Sequence, residues 1–164
     1  VIFDLTVAIE VGLVIACVLF MKRVMETTEI SVITDEIDPN KESDITVHEE
    51  NLMIPKGIEV YEINGPYFFG IATKFEETMA QLGDRPKVRI IRMRKVPFID
   101  STGIHNLTTL CEMSQKEKTT VILSGVNENV HNVLEKAGFY ELLGKENICP
   151  NINVALERAK SLVK

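Results

Sequence analysis

The chain has 164 residues and a formal net charge of −6, from 24 acidic and 18 basic residues. Because nucleic-acid binding depends on Lys and Arg side chains that neutralise phosphates, this balance argues against a nucleic-acid partner. Three cysteines without a CxxC pair and three scattered histidines predict neither a disulfide framework nor a zinc site. We therefore expect reduced thiols, no metal and no cofactor.

An apolar segment near the start of the chain predicts a membrane helix. Val11 to Met21 is apolar throughout apart from Gly12, and Lys22 and Arg23 follow directly. Basic residues at the end of a membrane helix favour its cytoplasmic side, so the following domain is expected in the cytoplasm. A signal peptide would carry its positive charge before the apolar run, which leaves a soluble or interfacial helix as the alternative.

Three polar residues precede this apolar run. A spanning helix needs about 20 residues, so the segment is long enough only if Asp4, Thr6 and Glu10 lie inside it. Such groups are expected to face a bundle interior or a transport path, which makes them candidate functional residues. We assign residues 1–25 to the carboxy-terminal end of the last transmembrane helix.

Residues 26–51 form a predicted acidic linker. Between Glu29 and Glu50 there are eight acidic residues and one base, Lys41, a net charge of −7. The rest of the chain is therefore close to neutral, since −6 minus −7 leaves +1. The sequences SVIT (31–34) and DITV (44–47) flank a predicted turn and are candidates for short edge strands.

Residues 52–164 predict one domain in which strands alternate with helices. Alternation of this kind predicts an α/β fold with a mixed, mainly parallel sheet that is covered by helices. The expected strands are 57–64, 67–71, 87–93, 119–125 and 147–150, and the expected helices are 72–83, 102–115, 127–138 and 151–164.

The sequence FIDSTG, residues 98–103, is the motif with the most chemical character. It lies where a predicted strand passes into a helix, so Asp100, Ser101 and Thr102 surround a helix N-terminus that favours anions and oxygen acceptors. The alternative is simple capping, because Asp, Ser and Thr are preferred N-cap residues and Gly103 permits close backbone approach.

No catalytic residues are predicted. The chain has no GxxxxGK[ST] phosphate loop, and it offers no nucleophile–base pair that can be recognised from its spacing. We interpret His105 and His131 as ordinary surface or cap residues, and Phe139 and Tyr140 as packing residues. The domain is therefore expected not to be an enzyme.

Two longer segments carry a resemblance to a known family. VRIIRMRKVPFIDSTGIHNLTTL, followed later by VILSGVNENVHNVLEKAGF, resembles a STAS domain (sulfate transporter and anti-sigma-factor antagonist). The opening, with DLTVAIEVGL and FMKR, resembles the last membrane helix of a SulP-type anion transporter. The resemblance implies a cytoplasmic regulatory and assembly domain of a sulfate, bicarbonate or dicarboxylate transporter in the inner membrane.

The resemblance also implies candidate regulatory residues. In the family's anti-sigma-factor antagonists a kinase phosphorylates the residue that corresponds to Thr102, with Asp100, Ser101 and Gly103 completing the motif. The implied partners are the membrane domain of the same transporter, a second copy of the chain as a homodimer, and a cytosolic regulatory protein or kinase. Weak nucleotide binding is compatible with this reading. The alternative function is a stand-alone STAS switch that phosphorylation regulates.

Overall fold

A computed structural model of the protein describes residues 2–26, 28–33, 36–37, 52–67, 75 and 85–163. Its helices are α1 (Ile2–Glu26), α2 (Ser101–Lys116), α3 (Glu128–Lys136), α4 (Phe139–Leu143) and α5 (Ile152–Val163), with a short 3₁₀ turn at Lys145–Asn147. Its strands are β1 (Glu29–Ile33), β2 (Glu36–Ile37), β3 (Leu52–Met53), β4 (Ile58–Asn64), β5 (Val88–Lys95), β6 (Thr120–Ser124) and β7 (Ile148–Cys149).

The main sheet has five strands in the order β1-β4-β5-β6-β7. Strand β1 is antiparallel to β4, and the other three pairs are parallel. This arrangement confirms the predicted α/β fold with a mixed, mainly parallel sheet. Because parallel strands end on the same side, the loops after β4, β5, β6 and β7 gather at one edge, here called the carboxyl edge.

Both faces of the sheet are covered, which explains the nearly continuous apolar runs in its strands. In β5, Ile91 and Met93 belong to a core that also contains Leu107 of α2 and Leu134 of α3. Alternate β5 residues belong to a second core, which contains Leu156 and other residues of α5. Successive side chains of a strand point to opposite faces, so the two cores lie on the two sides of one sheet.

Strand β1 lies inside the segment that the sequence assigns to an acidic linker. Its register runs from Glu29 opposite Asn64 to Ile33 opposite Val60, at one edge of the main sheet. The edge strand predicted at 31–34 is thus confirmed, with different bounds. The strand predicted at 44–47 lies outside the described residues, and β2 and β3 form a separate two-stranded ribbon.

Most other predicted elements are confirmed within a few residues. The strand predicted at 67–71 and the helix predicted at 72–83 lie outside the described residues, except Tyr67 and Phe75, which are buried. The sequence did not predict helix α4. Helix α3 ends close to the predicted Gly138, and the buried Phe139 and Tyr140 then begin the new helix instead of a loop.

Helix α1 differs in its exposure from the other helices that the structure describes. Asp4–Arg23 is long and apolar enough to cross a membrane by length and composition, and none of it is buried in the structure. Phe20 is 69% exposed and Leu13 is 64% exposed. An exposed apolar surface of this size marks a contact with a membrane or with another protein.

Candidate functional site

The turn between β5 and α2 brings the candidate regulatory residues together. One carboxylate oxygen of Asp100, Oδ1, accepts a hydrogen bond from the backbone N–H of Gly103 at 2.6 Å, so Asp100 is the N-cap of α2. Ser101 and Thr102 are the first two helical residues, and both are exposed. The predicted capping geometry is confirmed, and two hydroxyl side chains stand on the surface at a helix N-terminus.

Gly103 is required because the backbone behind it leaves no room for a side chain. A Cβ atom on Gly103 would lie 2.3 Å from the backbone oxygen of Tyr67 and 2.8 Å from Cγ1 of Ile99. The N–H of Tyr67 donates to the backbone oxygen of Phe98 at 3.1 Å, and Tyr67 forms a parallel bridge with Ile99. The first turn of α2 therefore packs directly on the chain at Tyr67.

The residues just before Tyr67 contact both the loop after β5 and the segment after α1. The N–H of Gly65 donates to the backbone oxygen of Lys95 at 3.2 Å. On the other side, the hydroxyl of the buried Thr28 donates to the backbone oxygen of Pro66 at 3.2 Å. Gly65 has φ +112°, and its ideal Cβ would lie 3.2 Å from Cα of Thr28, so only glycine fits this position.

Sequence reasoning missed Thr28 and Tyr67. Gly65 and Pro66 are visible in the sequence as a turn signal, but the partners of that turn are not. The hydrogen bond from Thr28 to Pro66 joins residues 38 positions apart, and no local pattern predicts such a contact. The four residues 100–103 were predicted correctly as a helix start, whereas their structural support was not predicted.

Charged side chains of β4 and β5 pair with one another. Arg92 Nη1 lies 3.2 Å from Glu62 Oε1, and Lys95 Nζ lies 3.8 Å from Glu62 Oε2. Arg92 and Glu62 are on neighbouring strands, opposite each other in the register, and both are buried. A buried pair of this kind is a structural element of the sheet, because losing one partner would leave an uncompensated charge.

A second polar group lies on the other face of the sheet, against α2. Arg89 Nη1 donates to the hydroxyl of Ser114 at 2.8 Å, and Tyr61 donates to Glu59 Oε2 at 2.7 Å. Burial raises the pKa of the Tyr61 hydroxyl above its ordinary value. Burial likewise raises the pKa of the Cys111 thiol to about 12. A thiol with this pKa is protonated at neutral pH and is not a nucleophile.

A pocket of about 270 Å³ lies near the amino end of β6. It is lined by Cys111, Gln115, Lys118, Thr119, Thr120, Val121, Leu143 and Asn147. Thr119 donates to the backbone oxygen of Pro86, and Asn147 donates to that of Leu143. Two of the pocket's polar side chains therefore already have partners inside the protein.

His105 and His131, the histidines among the described residues, have different environments. His105 is exposed on α2, as predicted. The interpretation of His131 as an ordinary surface residue is wrong, because its Nδ1 atom lies 2.6 Å from the hydroxyl of the buried Tyr140 and forms a hydrogen bond with it. This bond connects α3 to α4. Among the described residues, no group of three His, Cys, Asp or Glu side chains could hold a metal ion.

The polar residues of α1 do not form one cluster. Asp4, Thr6 and Glu10 all lie in the exposed part of the helix. Thr6 and Glu10 are one helical turn apart and share a face, whereas Asp4 lies on another side of the helix. The structure therefore separates Asp4 from the other two candidates.

Comparisons with known proteins agree with this architecture. Residues 51–155 match the STAS domain family. YvdB from Bacillus subtilis (strain 168), by its name a candidate sulfate transporter, is 26% identical over 90% of this chain, which covers 26% of YvdB. The chain spans about a quarter of the length of the full-length relatives it matches.

Two solved structures are more similar in sequence. A sulfate transporter family protein from Wolinella succinogenes is 44% identical with a TM-score of 0.65, and the alignment covers 68% of this chain and 92% of that one. The STAS domain of a SulP transporter from Vibrio cholerae is 35% identical with a TM-score of 0.61, covering 68% and 87%.

Anti-sigma factor antagonists of solved structure, at 15% and 17% identity, share the fold alone. The predicted resemblance to a STAS domain of the transporter kind is thus confirmed, and the apolar helix α1 fits the membrane-derived helix that it implies. This chain belongs to the STAS domain family and is homologous to the STAS domains of SulP sulfate transporters.

Proposed function

We propose that this chain is the cytoplasmic STAS domain of a SulP-type secondary anion transporter, together with the end of the transporter's last membrane helix. The domain regulates and assembles the transporter in the inner membrane and catalyses no reaction. The transported anion is sulfate or a related anion. The membrane domain of the same transporter and a second copy of the chain are its partners.

One observation carries this proposal: an exposed apolar helix is joined to the STAS sheet by a very short connection. Only residues 27 and 28 separate α1 from β1, and Thr28 is buried. The basic residues Lys22 and Arg23 lie at the end of the helix nearest the sheet, which favours a cytoplasmic position for the domain. A bilayer would cover the side chains of α1 that are otherwise exposed to water.

The alternative is a stand-alone switch of the anti-sigma-factor-antagonist type. The exposed hydroxyls of Ser101 and Thr102 at the start of α2 fit that function as well as the first. A soluble switch would, however, leave the apolar surface of α1 in water. The behaviour of α1 therefore separates the two functions.

Cys17 supplies a test of the membrane helix. It lies within the apolar part of α1 and is exposed, whereas Cys111 and Cys149 are buried. In lipid nanodiscs, Cys17 should not react with a membrane-impermeant maleimide, because the hydrocarbon core of the bilayer excludes the reagent. The variant Lys22→Cys places a second cysteine near the end of α1, outside the apolar run. This cysteine should react with the same maleimide. Equal labelling of both cysteines in lipid would contradict the membrane helix.

The turn 100–103 is the proposed control point of the domain. A phosphate on Thr102 would add up to about two negative charges at a helix N-terminus, where the helix dipole tolerates them. The charge would alter the surface that meets a regulatory protein or the membrane domain, with little effect on the fold. Phosphate incorporation by a cognate kinase that is lost in Thr102→Val but kept in Ser101→Ala would support this assignment.

The absence of catalysis is tested with the pure protein and ATP or GTP. Ser101 and Thr102 present two exposed hydroxyls at a helix start, an arrangement suited to binding an anion. Weak nucleotide binding is compatible with the proposal. Sustained hydrolysis that disappears in Ser101→Ala or Thr102→Val would contradict it.

A further inference from the structure

The contacts around Gly65–Tyr67 connect two parts of the protein that are far apart in sequence. We propose that Thr28 and Gly65–Tyr67, here called the bridge segment, couple the turn 100–103 mechanically to the end of α1. A charge or partner placed on the turn then changes the conformation of the chain where it leaves the helix. This inference rests on the proposed regulatory function of the turn, and it says through which contacts a change at the turn affects the membrane helix.

The first contact joins the turn to the bridge segment. No side chain fits between Gly103 and the backbone oxygen of Tyr67, since a Cβ would lie only 2.3 Å away. Tyr67 is 1% exposed and is fixed from the other side by its hydrogen bond to Phe98. A shift of the first turn of α2 therefore displaces Tyr67, because close-packed atoms leave no free volume to absorb the movement.

The second contact joins the bridge segment to the helix exit. Thr28 is 2% exposed, and its hydroxyl donates to the backbone oxygen of Pro66, the residue directly before Tyr67. Thr28 also packs against Gly65, where a Cβ would meet its Cα at 3.2 Å. Glu26 is the last residue of α1 and Glu29 the first of β1, so Thr28 lies two residues beyond the end of α1, and a displacement of Pro66 acts on the chain next to the helix exit.

The turn before α3 begins a helix without the glycine contact that Gly103 makes. Helix α3 begins with Asn127 as its N-cap, followed by the exposed Glu128 and Asn129. The Asn127 side chain donates to the backbone oxygen of Val96, and Val130, the third helical residue, carries a side chain buried in the core where α2 has Gly103. Asn129 occupies the same position in α3 that Thr102 occupies in α2, so it provides a matched control.

Amide hydrogen exchange of the full chain in lipid nanodiscs tests the coupling. We expect Thr102→Glu to change the exchange rate of a peptide that covers Glu26 to Ile33 by about threefold or more, in line with coupling between contacting elements. Asn129→Glu should leave the same peptide unchanged. In a Thr28→Val background, which removes the hydroxyl and keeps the shape, the effect of Thr102→Glu should shrink, whereas Thr28→Ser should preserve it.

Two outcomes overturn the coupling. One is unchanged exchange of this peptide in Thr102→Glu, and the other is an equal change in Asn129→Glu. Thermal melts of each variant show whether the fold is intact, and Thr102→Asp provides a second charge if Thr102→Glu does not fold. Transport that responds to Thr102→Glu without a change in exchange would keep the regulatory function and reject the bridge segment as its route.

Discussion

Two turns at the carboxyl edge begin helices in the same way and differ in what lies around them. Asp100 accepts from the N–H of Gly103 at 2.6 Å, and Asn127 accepts from the N–H of Val130 at 2.9 Å. Each cap is followed by two exposed residues. Cap geometry alone therefore does not distinguish a control site from an ordinary helix start.

The differences lie at the cap side chain and at the third helical residue. Asn127 uses its amide nitrogen as well, which donates to the backbone oxygen of Val96, so this cap is tied to the loop after β5. Val130 is fully buried in the core, whereas Gly103 has no side chain and sits against the backbone of Tyr67. The turn at 100–103 is therefore held by backbone packing and has exposed hydroxyls, whereas the turn at 127–130 is held by its side chains.

The largest effect is expected from adding one methyl group at Gly103. Gly103→Ala places a Cβ 2.3 Å from a backbone oxygen, which cannot move as a flexible side chain would. We expect a loss of about 3 kcal/mol in the free energy of unfolding, at the upper end of what overpacking costs. Denaturant unfolding of the wild type and of Gly103→Ala measures this loss. The control Asn129→Ala, at an exposed position of the other turn, should lower the free energy of unfolding by less than about 0.5 kcal/mol. Equal losses would contradict the packing described for Gly103.

The second-largest effect is expected from removing β1. This strand directly follows Thr28, whose contacts support the turn at 100–103. A fragment of residues 52–164 lacks this strand, whereas one of residues 28–164 keeps it. Ile30 and Val32 pack against the core, so we expect the shorter fragment to be less stable by roughly 3 kcal/mol, from the apolar area left uncovered. Denaturant unfolding of the two fragments checks this difference. Equal stability would show that the domain begins near residue 52, as predicted from the sequence.

The third effect separates the two caps. Asp100→Ala removes one capping hydrogen bond and should cost about 1 kcal/mol. Asn127→Ala removes the cap and also leaves the backbone oxygen of Val96 without this donor, so it should cost about 2 kcal/mol. Thermal melts of the two variants give the comparison, and Asp100→Asn serves as the control that keeps an acceptor. A greater loss for Asp100→Ala would reverse the proposed difference between the turns.

Local sequence patterns predicted most of the fold because they act over a few residues. In α2, which the sequence predicted at 102–115, Ile104, Leu107, Leu110, Cys111 and Ser114 recur at helical spacing, and the last four of them are buried. The pairing of β1 with β4 could not be predicted in the same way, because it joins residues about 30 positions apart through a strongly acidic segment.

The candidate site shows the same difference between local patterns, which the sequence reveals, and contacts between distant residues, which it does not. Asp100, Ser101, Thr102 and Gly103 were identified from one motif and the helix that follows it. The bond between His131 and Tyr140, the pairing of Arg92 with Glu62 and the contact of Thr28 with Pro66 depend on the folded chain. Each needs two elements to be placed relative to one another, which a single sequence pattern does not specify.

Anion uptake by the intact transporter carrying Thr102→Glu, measured beside Asn129→Glu, tests the central claim most directly. Both variants add one negative charge at the second residue of an exposed helix start, so each should change the stability of the domain by less than about 0.5 kcal/mol. If the turn 100–103 is the control point, Thr102→Glu alters uptake and Asn129→Glu does not, while both melts stay close to that of the wild type. Equal uptake by the wild type and both variants would contradict the claim and reduce the turn to a helix cap.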